Sequence, residues 1–237
     1  MGWLVRRMGV ADVVTLLNGA VGFGAGVVAF HDPGLAARLV LLAAILDAID
    51  GIVARRFGNT EAGPLLDSIT DVVSFGVTPA LLVVAVGEGA YGPPGTAPLA
   101  LTAGILATGA LFVLLSVVRT AMYTTYVDPD DDRPGVQNTL AATIVAAAYL
   151  ADVLPPWALL VLTAILAAAM VAPLPYPKLR AGDAMVLGLV QVAAVAVPTA
   201  FSALFPRIIL VAATAYAIGA PWFYWGKNGG TTVSRVD

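Results

Sequence analysis

Four aspartates lie between positions 47 and 71, in a part of the chain that is otherwise apolar enough for membrane helices: Asp47, Asp50, Asp67 and Asp71. A carboxylate in hydrocarbon is costly, so acids inside membrane segments are candidates for function. The chain has no cysteine and one histidine, His31, so a metal ion here must be held by oxygen atoms. Oxygen ligands favour Mg²⁺, Mn²⁺ or Ca²⁺. Four carboxylates supply enough oxygens for two such cations and leave open positions for a substrate.

The spacing of the aspartates predicts two helices that meet at a turn. Asp47 and Asp50 are three residues apart, and Asp67 and Asp71 are four apart, so each pair shares one face of a helix. Glycines between the pairs suit a turn, and we therefore expect the two pairs to converge. Two alternatives remain open, namely acids solvated singly at helix ends and a proton or cation relay in a transporter.

The composition is that of a membrane protein. Of 237 residues, 59% are hydrophobic and 11% are charged, whereas soluble domains carry about 25% charged residues. We predict one domain, residues 1–237, that forms an all-α polytopic bundle of about eight spans, within a range of six to eight. Nothing indicates nucleic-acid binding. The expected spans are 12–30, 35–56, 64–87, 98–126, 136–153, 156–173, 183–202 and 206–225.

The distribution of basic residues predicts the orientation. With eight spans and a cytoplasmic N-terminus, nine basic residues face the cytoplasm and only Arg38 and Arg207 face outward. Both termini and the turn after Asp50 are then cytoplasmic. The cytoplasmic residues are Arg6, Arg7, Arg55, Arg56, Arg133, Lys178, Arg180, Lys227 and Arg235.

The aspartates belong to a longer pattern. It reads Asp47-x-x-Asp50-Gly51-x-x-Ala54-Arg55, then seven residues, then Gly63-x-x-x-Asp67-x-x-x-Asp71. This pattern resembles the signature of the CDP-alcohol phosphotransferases, membrane enzymes that make phospholipids from CDP-linked lipids. All its fixed positions are present, although the family usually has eight residues where this chain has seven.

Further segments resemble the phosphatidylserine synthase branch of that family. Arg119 lies where this branch has its first fourth-helix arginine, but Met122 replaces the second one. The acidic, cysteine-free composition favours a haloarchaeal enzyme that makes archaetidylserine, and the residues leave the lipid tail open between acyl ester and isoprenoid ether. The similar segments are 15–18, 22–23, 67–80, 135–142 and 170–177.

The resemblance implies a role for each site residue. The four aspartates would bind two divalent cations, Mg²⁺ or Mn²⁺, and Asp71 would also be the general base. Arg119 would bind phosphate or the serine carboxylate. The CDP pocket would be formed by Gly51, Ala54, Arg55, Gly63, Thr15 and Asn18.

The resemblance also implies the reaction, in which the hydroxyl of L-serine displaces CMP from a CDP-diacylglycerol or CDP-archaeol lipid. Sister enzymes that use glycerol phosphate or inositol phosphate remain alternatives, although a phosphorylated acceptor calls for more basic residues than this chain offers. We expect an integral protein of the cell membrane with its active site on the cytoplasmic side, and a homodimer by analogy with relatives.

Overall fold

The structure is a computed structural model that describes residues 7–126, 133–176 and 181–223. Arg6, Pro177, Lys178, Arg180, Lys227 and Arg235, which enter the predictions above, lie outside these ranges. Eight helices in the described ranges confirm the all-α prediction, beside two-residue strands β1 (Arg133–Pro134) and β2 (Pro175–Tyr176) that pair antiparallel. The helices are α1 (Val10–Val28), α2 (Pro33–Phe57), α3 (Gly63–Tyr91), α4 (Leu99–Tyr126), α5 (Asn138–Ala151), α6 (Pro156–Met170), α7 (Ala181–Ala196) and α8 (Ala200–Phe223).

Local chemistry sets the ends of the two helices that carry the aspartates. The Asp32 carboxylate accepts a 2.8 Å hydrogen bond from the Leu35 amide, and Pro33 is the first residue of α2. Helix α2 ends at Gly58, whose φ of 89° favours glycine. Helix α3 begins with Gly63 and Pro64 after a short turn, so the C-terminal part of α2 and the first turns of α3 share one end of the bundle.

Helix α3 has a π-helical segment, Val72–Val77, directly after Asp71. The Thr78 hydroxyl lies 2.9 Å from the carbonyl oxygen of Val73, five residues earlier, and 2.8 Å from that of Gly22 in α1. A π segment holds more residues per turn than an α-helix and is frequent at functional sites. It changes the rotational phase between Asp71 and the rest of α3, a feature that the sequence pattern did not predict.

Helix α5 forms the centre of the bundle and packs on α2, α6 and α8. Six of its 14 residues are alanines, and all six are almost fully buried. Small side chains let helices approach closely, so that dispersion contacts hold them together where lipid removes the hydrophobic driving force.

Glycines in α1 allow close packing against α3. A Cβ atom on Gly22 would lie 2.8 Å from the Cα of Ser74, and one on Gly26 would lie 3.1 Å from Leu81 Cδ1. Gly24, between them, faces open space. Gly22 and Gly26, four residues apart, therefore let the C-terminal half of α1 pack closely against the middle of α3.

Four of the described helices are long and apolar enough to cross a membrane, namely Val10–Val28, Gly63–Tyr91, Leu99–Tyr126 and Ala200–Pro221. Three more apolar stretches are shorter, Asn138–Leu150, Pro156–Met170 and Met185–Ala196. Large apolar side chains are exposed on the outer faces of these helices, as lipid contact requires. The span count and the orientation stay predictions.

Candidate active site

Three carboxylates from two helices meet at one point. Asp47 of α2 and Asp67 and Asp71 of α3 each offer one oxygen atom, and these oxygens all lie within 4.8 Å of one another. Asp47 and Asp71 are also within hydrogen-bonding reach of each other. All three side chains are half-buried. The turn between α2 and α3 thus brings together the acids that the helical spacing placed on facing sides.

Asp50, the fourth aspartate, borders this group and is held separately. Its side chain is only 5% exposed, and its Oδ2 accepts a 2.8 Å hydrogen bond from the Thr15 hydroxyl of α1. It remains close enough to Asp67 for the two charges to repel each other. Helix α1 therefore fixes the orientation of one acid of the signature.

The donor set of this group fits a hard divalent cation. Two charged carboxylate oxygens at the 4.8 Å limit of this group would repel each other by about 3.5 kcal/mol at an effective dielectric constant of about 20. The Oδ1 atom of Asp71 is buried without a hydrogen-bond partner among the described residues. A bound cation offsets both costs, and carboxylate oxygens are the ligands that Mg²⁺ and Mn²⁺ prefer. The group formed by Asp47, Asp67 and Asp71 can therefore hold a divalent cation.

A buried arginine supplies positive charge beside the acids. Arg119 of α4 is 7% exposed, and its Cζ lies 4.4 Å from the ring centroid of Tyr123, one helical turn further on. Its charge also acts attractively on Asp71. Helix α4 is fastened at this end to α3 by a 2.8 Å hydrogen bond between Ser68 and Thr124. An anionic group bound near Asp71 would thus meet the Arg119 guanidinium.

The residues predicted to form the CDP pocket are divided among α1, α2 and the start of α3. Gly51 and Ala54 are half-buried in the C-terminal part of α2, and the exposed Arg55 bends back so that its Nη1 lies 3.6 Å from where a Cβ on Gly51 would be. Asn18 of α1 is fully buried, and neither atom of its amide has a partner in the described residues. Such a buried amide is costly unless a ligand or water satisfies it.

Gly63, the last of these residues, packs against an aspartate that the sequence reasoning missed. A Cβ on Gly63 would lie 3.2 Å from Oδ1 of Asp12. Asp12 is 2% exposed and accepts 2.8 Å hydrogen bonds from the Gly9 amide and the Thr60 hydroxyl. It fastens the start of α1 to the turn between α2 and α3. The sequence signal that could have identified Asp12 is an acidic side chain in an otherwise apolar helix.

Two further polar residues, to which the sequence reasoning gave no role, lie at the start of α5, within the similar segment 135–142. The Thr139 hydroxyl lies 3.4 Å from Oδ2 of Asp47. Asn138 is 1% exposed and contacts α4 through its amide nitrogen. Both residues are far from the aspartates in sequence, so only the fold reveals that they border the site.

Comparison with known proteins finds a matching family model and several similar proteins. The family model for CDP-alcohol phosphatidyltransferase matches residues 8–174. An archaetidylserine synthase of Methanothermobacter thermautotrophicus is 28% identical over 144 residues, 59% of this chain and 57% of that protein.

Two relatives are more similar over shorter stretches, and both are CDP-diacylglycerol–serine O-phosphatidyltransferases. The protein of Methanocaldococcus jannaschii is 43% identical over 75 residues, 31% of this chain and 34% of its own length. The protein of Saccharomyces cerevisiae is 38% identical over 93 residues, 35% of this chain and 34% of its own. The match thus spans between about a third and 57% of each of these three relatives.

Proposed function

Because the chain belongs to the CDP-alcohol phosphatidyltransferase family, we propose that it transfers the phosphatidyl-type group of a CDP-linked lipid to the hydroxyl of L-serine and releases CMP. The observation that carries this proposal is the convergence of Asp47, Asp67 and Asp71 within the signature of that family. The choice of serine is supported by the names of the three relatives, each of which is a serine phospholipid synthase.

The proposed reaction forms one bond and breaks one. The serine oxygen bonds to the phosphorus that carries the lipid, and the bond from that phosphorus to the bridging oxygen of the pyrophosphate breaks, so CMP leaves. Asp71 accepts the hydroxyl proton, since an alcohol is a weak nucleophile that needs a base within hydrogen-bond reach.

The aspartates would hold two divalent cations, Mg²⁺ or Mn²⁺, in the proposed enzyme. When bound, these cations neutralise the charge that grows on the leaving phosphate. Asp50, oriented by Thr15, completes the set of four ligands. Arg119 then faces either the phosphate or the carboxylate of serine, because it is the buried cation whose charge acts on Asp71.

The nucleotide would lie along α2 and α1. Gly51 and Ala54 leave the backbone of α2 accessible, Arg55 binds a phosphate, and the buried amide of Asn18 gains partners from the cytosine ring. Thr15 and Gly63 line the same pocket through their positions beside Asp50 and Asp12.

We also propose an arrangement in the membrane. The chain would cross the cell membrane about eight times, with both termini and the active site on the cytoplasmic side, as the basic residues predict. The lipid tails, acyl or isoprenoid, would lie between helices and open sideways to the bilayer, and the enzyme would be a homodimer.

The test uses the purified full chain with Mg²⁺ or Mn²⁺ and a CDP-lipid, and it measures CMP release with three acceptors. We expect release with L-serine and formation of a serine lipid. CMP release with glycerol phosphate or inositol phosphate but not with serine would assign the chain to a sister activity. No CMP release with any acceptor would contradict the transferase proposal.

A further inference from the structure

A buried amide at the start of α5 has one atom without a partner. Asn138 is 1% exposed, and its Nδ2 lies 2.8 Å from Thr120 Oγ1 and 3.5 Å from the carbonyl oxygen of Ser116. A carbonyl oxygen can only accept a hydrogen bond, so the NH₂ group must face α4. The Oδ1 atom is therefore turned away from these contacts, and it has no partner among the described residues.

A buried acceptor without a donor is costly, and in native proteins such groups often await a ligand or water. The Ser116 hydroxyl, in the residue that Asn138 contacts, is likewise buried without a partner in the described part of the chain. Ser116 also packs against Gly76 of the π-helical segment, where a side chain on the glycine would collide with it. Two residues that contact each other between α4 and α5, Asn138 and Ser116, thus each have a buried oxygen without a partner in the described part of the chain.

Two residues near Asn138, one in α5 and one in α4, interact with the carboxylate group. Thr139, the residue after Asn138, contacts Asp47 at 3.4 Å. Arg119 lies between the two α4 residues that Asn138 contacts, and its charge acts on Asp71. Asn138 is therefore next in the chain to a residue that contacts Asp47, and it contacts the two α4 residues that flank Arg119.

We propose that Asn138 is a specificity residue whose Oδ1 accepts a hydrogen bond from the ammonium group of the amino-acid acceptor, while Arg119 binds its carboxylate. This inference rests on the proposed function and names the recognition of its acceptor. An amino acid with a hydroxyl side chain presents three groups, and the hydroxyl would face Asp71.

The neutrality of Asn138 fits this role. An additional carboxylate at this position would increase the repulsion among the acids, whereas an amide oxygen offers an acceptor without charge. A site built to hydrogen-bond a substrate group rejects analogues that lack it, because the buried partner is then left unsatisfied. Asn138 would thus favour serine over a hydroxy acid of the same length.

The experiment compares L-serine with 3-hydroxypropionate, which is serine without its amino group, in the purified full chain with Mn²⁺ and a CDP-lipid. The Asn138→Leu variant should lose about 10–100-fold in kcat/KM for serine, the effect of one hydrogen bond to a charged group. Its kcat/KM for 3-hydroxypropionate, or the Ki if this compound only inhibits, should stay as in the wild type. The matched control is Thr143→Val, which removes another buried polar group of α5 and should keep the wild-type preference.

Equal losses with both acceptors in Asn138→Leu would overturn the inference, as would a wild type that uses both equally well. Should Asn138→Leu fail to fold, Asn138→Ala is measured instead, because it also removes the acceptor oxygen and must show the same selective loss with serine. A wild type that releases no CMP with serine contradicts the proposed function instead, so the two failures are distinguishable.

Discussion

The four aspartates of the signature differ in their surroundings, and we expect them to differ in function. Asp50 is buried and oriented by Thr15, whereas Asp47, Asp67 and Asp71 share one small volume. Asp71 has in addition a buried oxygen without a partner in the described residues and a cation that acts on it. It is therefore the aspartate whose replacement should affect catalysis most specifically.

We expect the Asp71→Asn variant to lose about 10²–10⁴-fold in turnover, the usual contribution of a general base. Amide and carboxylate have nearly the same shape, so the fold should persist. The measurement is serine-dependent CMP release at saturating serine and CDP-lipid.

The matched control is Asp152→Asn. Asp152 follows the far end of α5, about 20 Å along the helix from Asn138, and has a φ of 51° that asparagine tolerates. This variant should turn over like the wild type. Wild-type turnover in Asp71→Asn as well would remove Asp71 as the base.

At the scale of elements, the position of α1 against α3 determines whether Thr15 reaches Asp50 and whether Asn18 borders the site. Ser74 donates a hydrogen bond of 3.2 Å to the carbonyl oxygen of Asn18, and Thr78 donates one of 2.8 Å to that of Gly22. These bonds join α1 to the π-helical segment that follows Asp71. Packing of the two helices and placement of the acids are thus linked.

We predict that Gly22→Ala lowers both stability and activity. Its new Cβ would lie 2.8 Å from the Cα of Ser74, a backbone contact that only a shift of one helix can relieve, and overpacking of this kind costs about 1–3 kcal/mol. The melting temperature in detergent and the rate of CMP release measure the two effects.

Gly24→Ala is the control, because nothing lies within 4 Å of the added Cβ in the same helix. It should leave stability and activity unchanged or raise stability slightly, as alanine favours helix more than glycine does. Equal effects of the two substitutions would show that close packing of α1 on α3 is not required.

The elements themselves were largely predictable from the sequence. Apolar runs interrupted by proline, glycine or charge predicted the eight helices of the described ranges, because each interruption is a local property of the chain. The aspartate pairs were predictable for the same reason, since helical periodicity places them on one face.

The π-helical segment and the start of α5 were not predictable in this way. The π segment is followed by Thr78, whose hydroxyl bonds to α1, a contact between distant parts of the chain. The position of Asn138 depends on Ser116 and Thr120 of another helix. The spacing of residues in the sequence does not indicate either contact. Such residues can therefore be identified only from the packing of the helices.

At the scale of the molecule, the absence of cysteine makes the proposed orientation directly testable. Pro94, in the loop between α3 and α4, and Asn59, in the turn between α2 and α3, are both exposed. In intact cells, a membrane-impermeant thiol reagent should label Pro94→Cys and should reach Asn59→Cys only after permeabilisation. The reverse pattern would place the aspartates on the outer side and contradict the cytoplasmic active site.

The account depends most on the binding of divalent cations by carboxylates from α2 and α3. The most direct measurement is a Mn²⁺ titration of the purified protein in detergent, followed by the electron paramagnetic resonance signal of free Mn²⁺. We expect saturable binding in the wild type and in Asp152→Asn, and loss of that binding in the Asp67→Asn/Asp71→Asn double variant. Unchanged Mn²⁺ binding in the double variant, or no saturable binding in the wild type, would contradict the account.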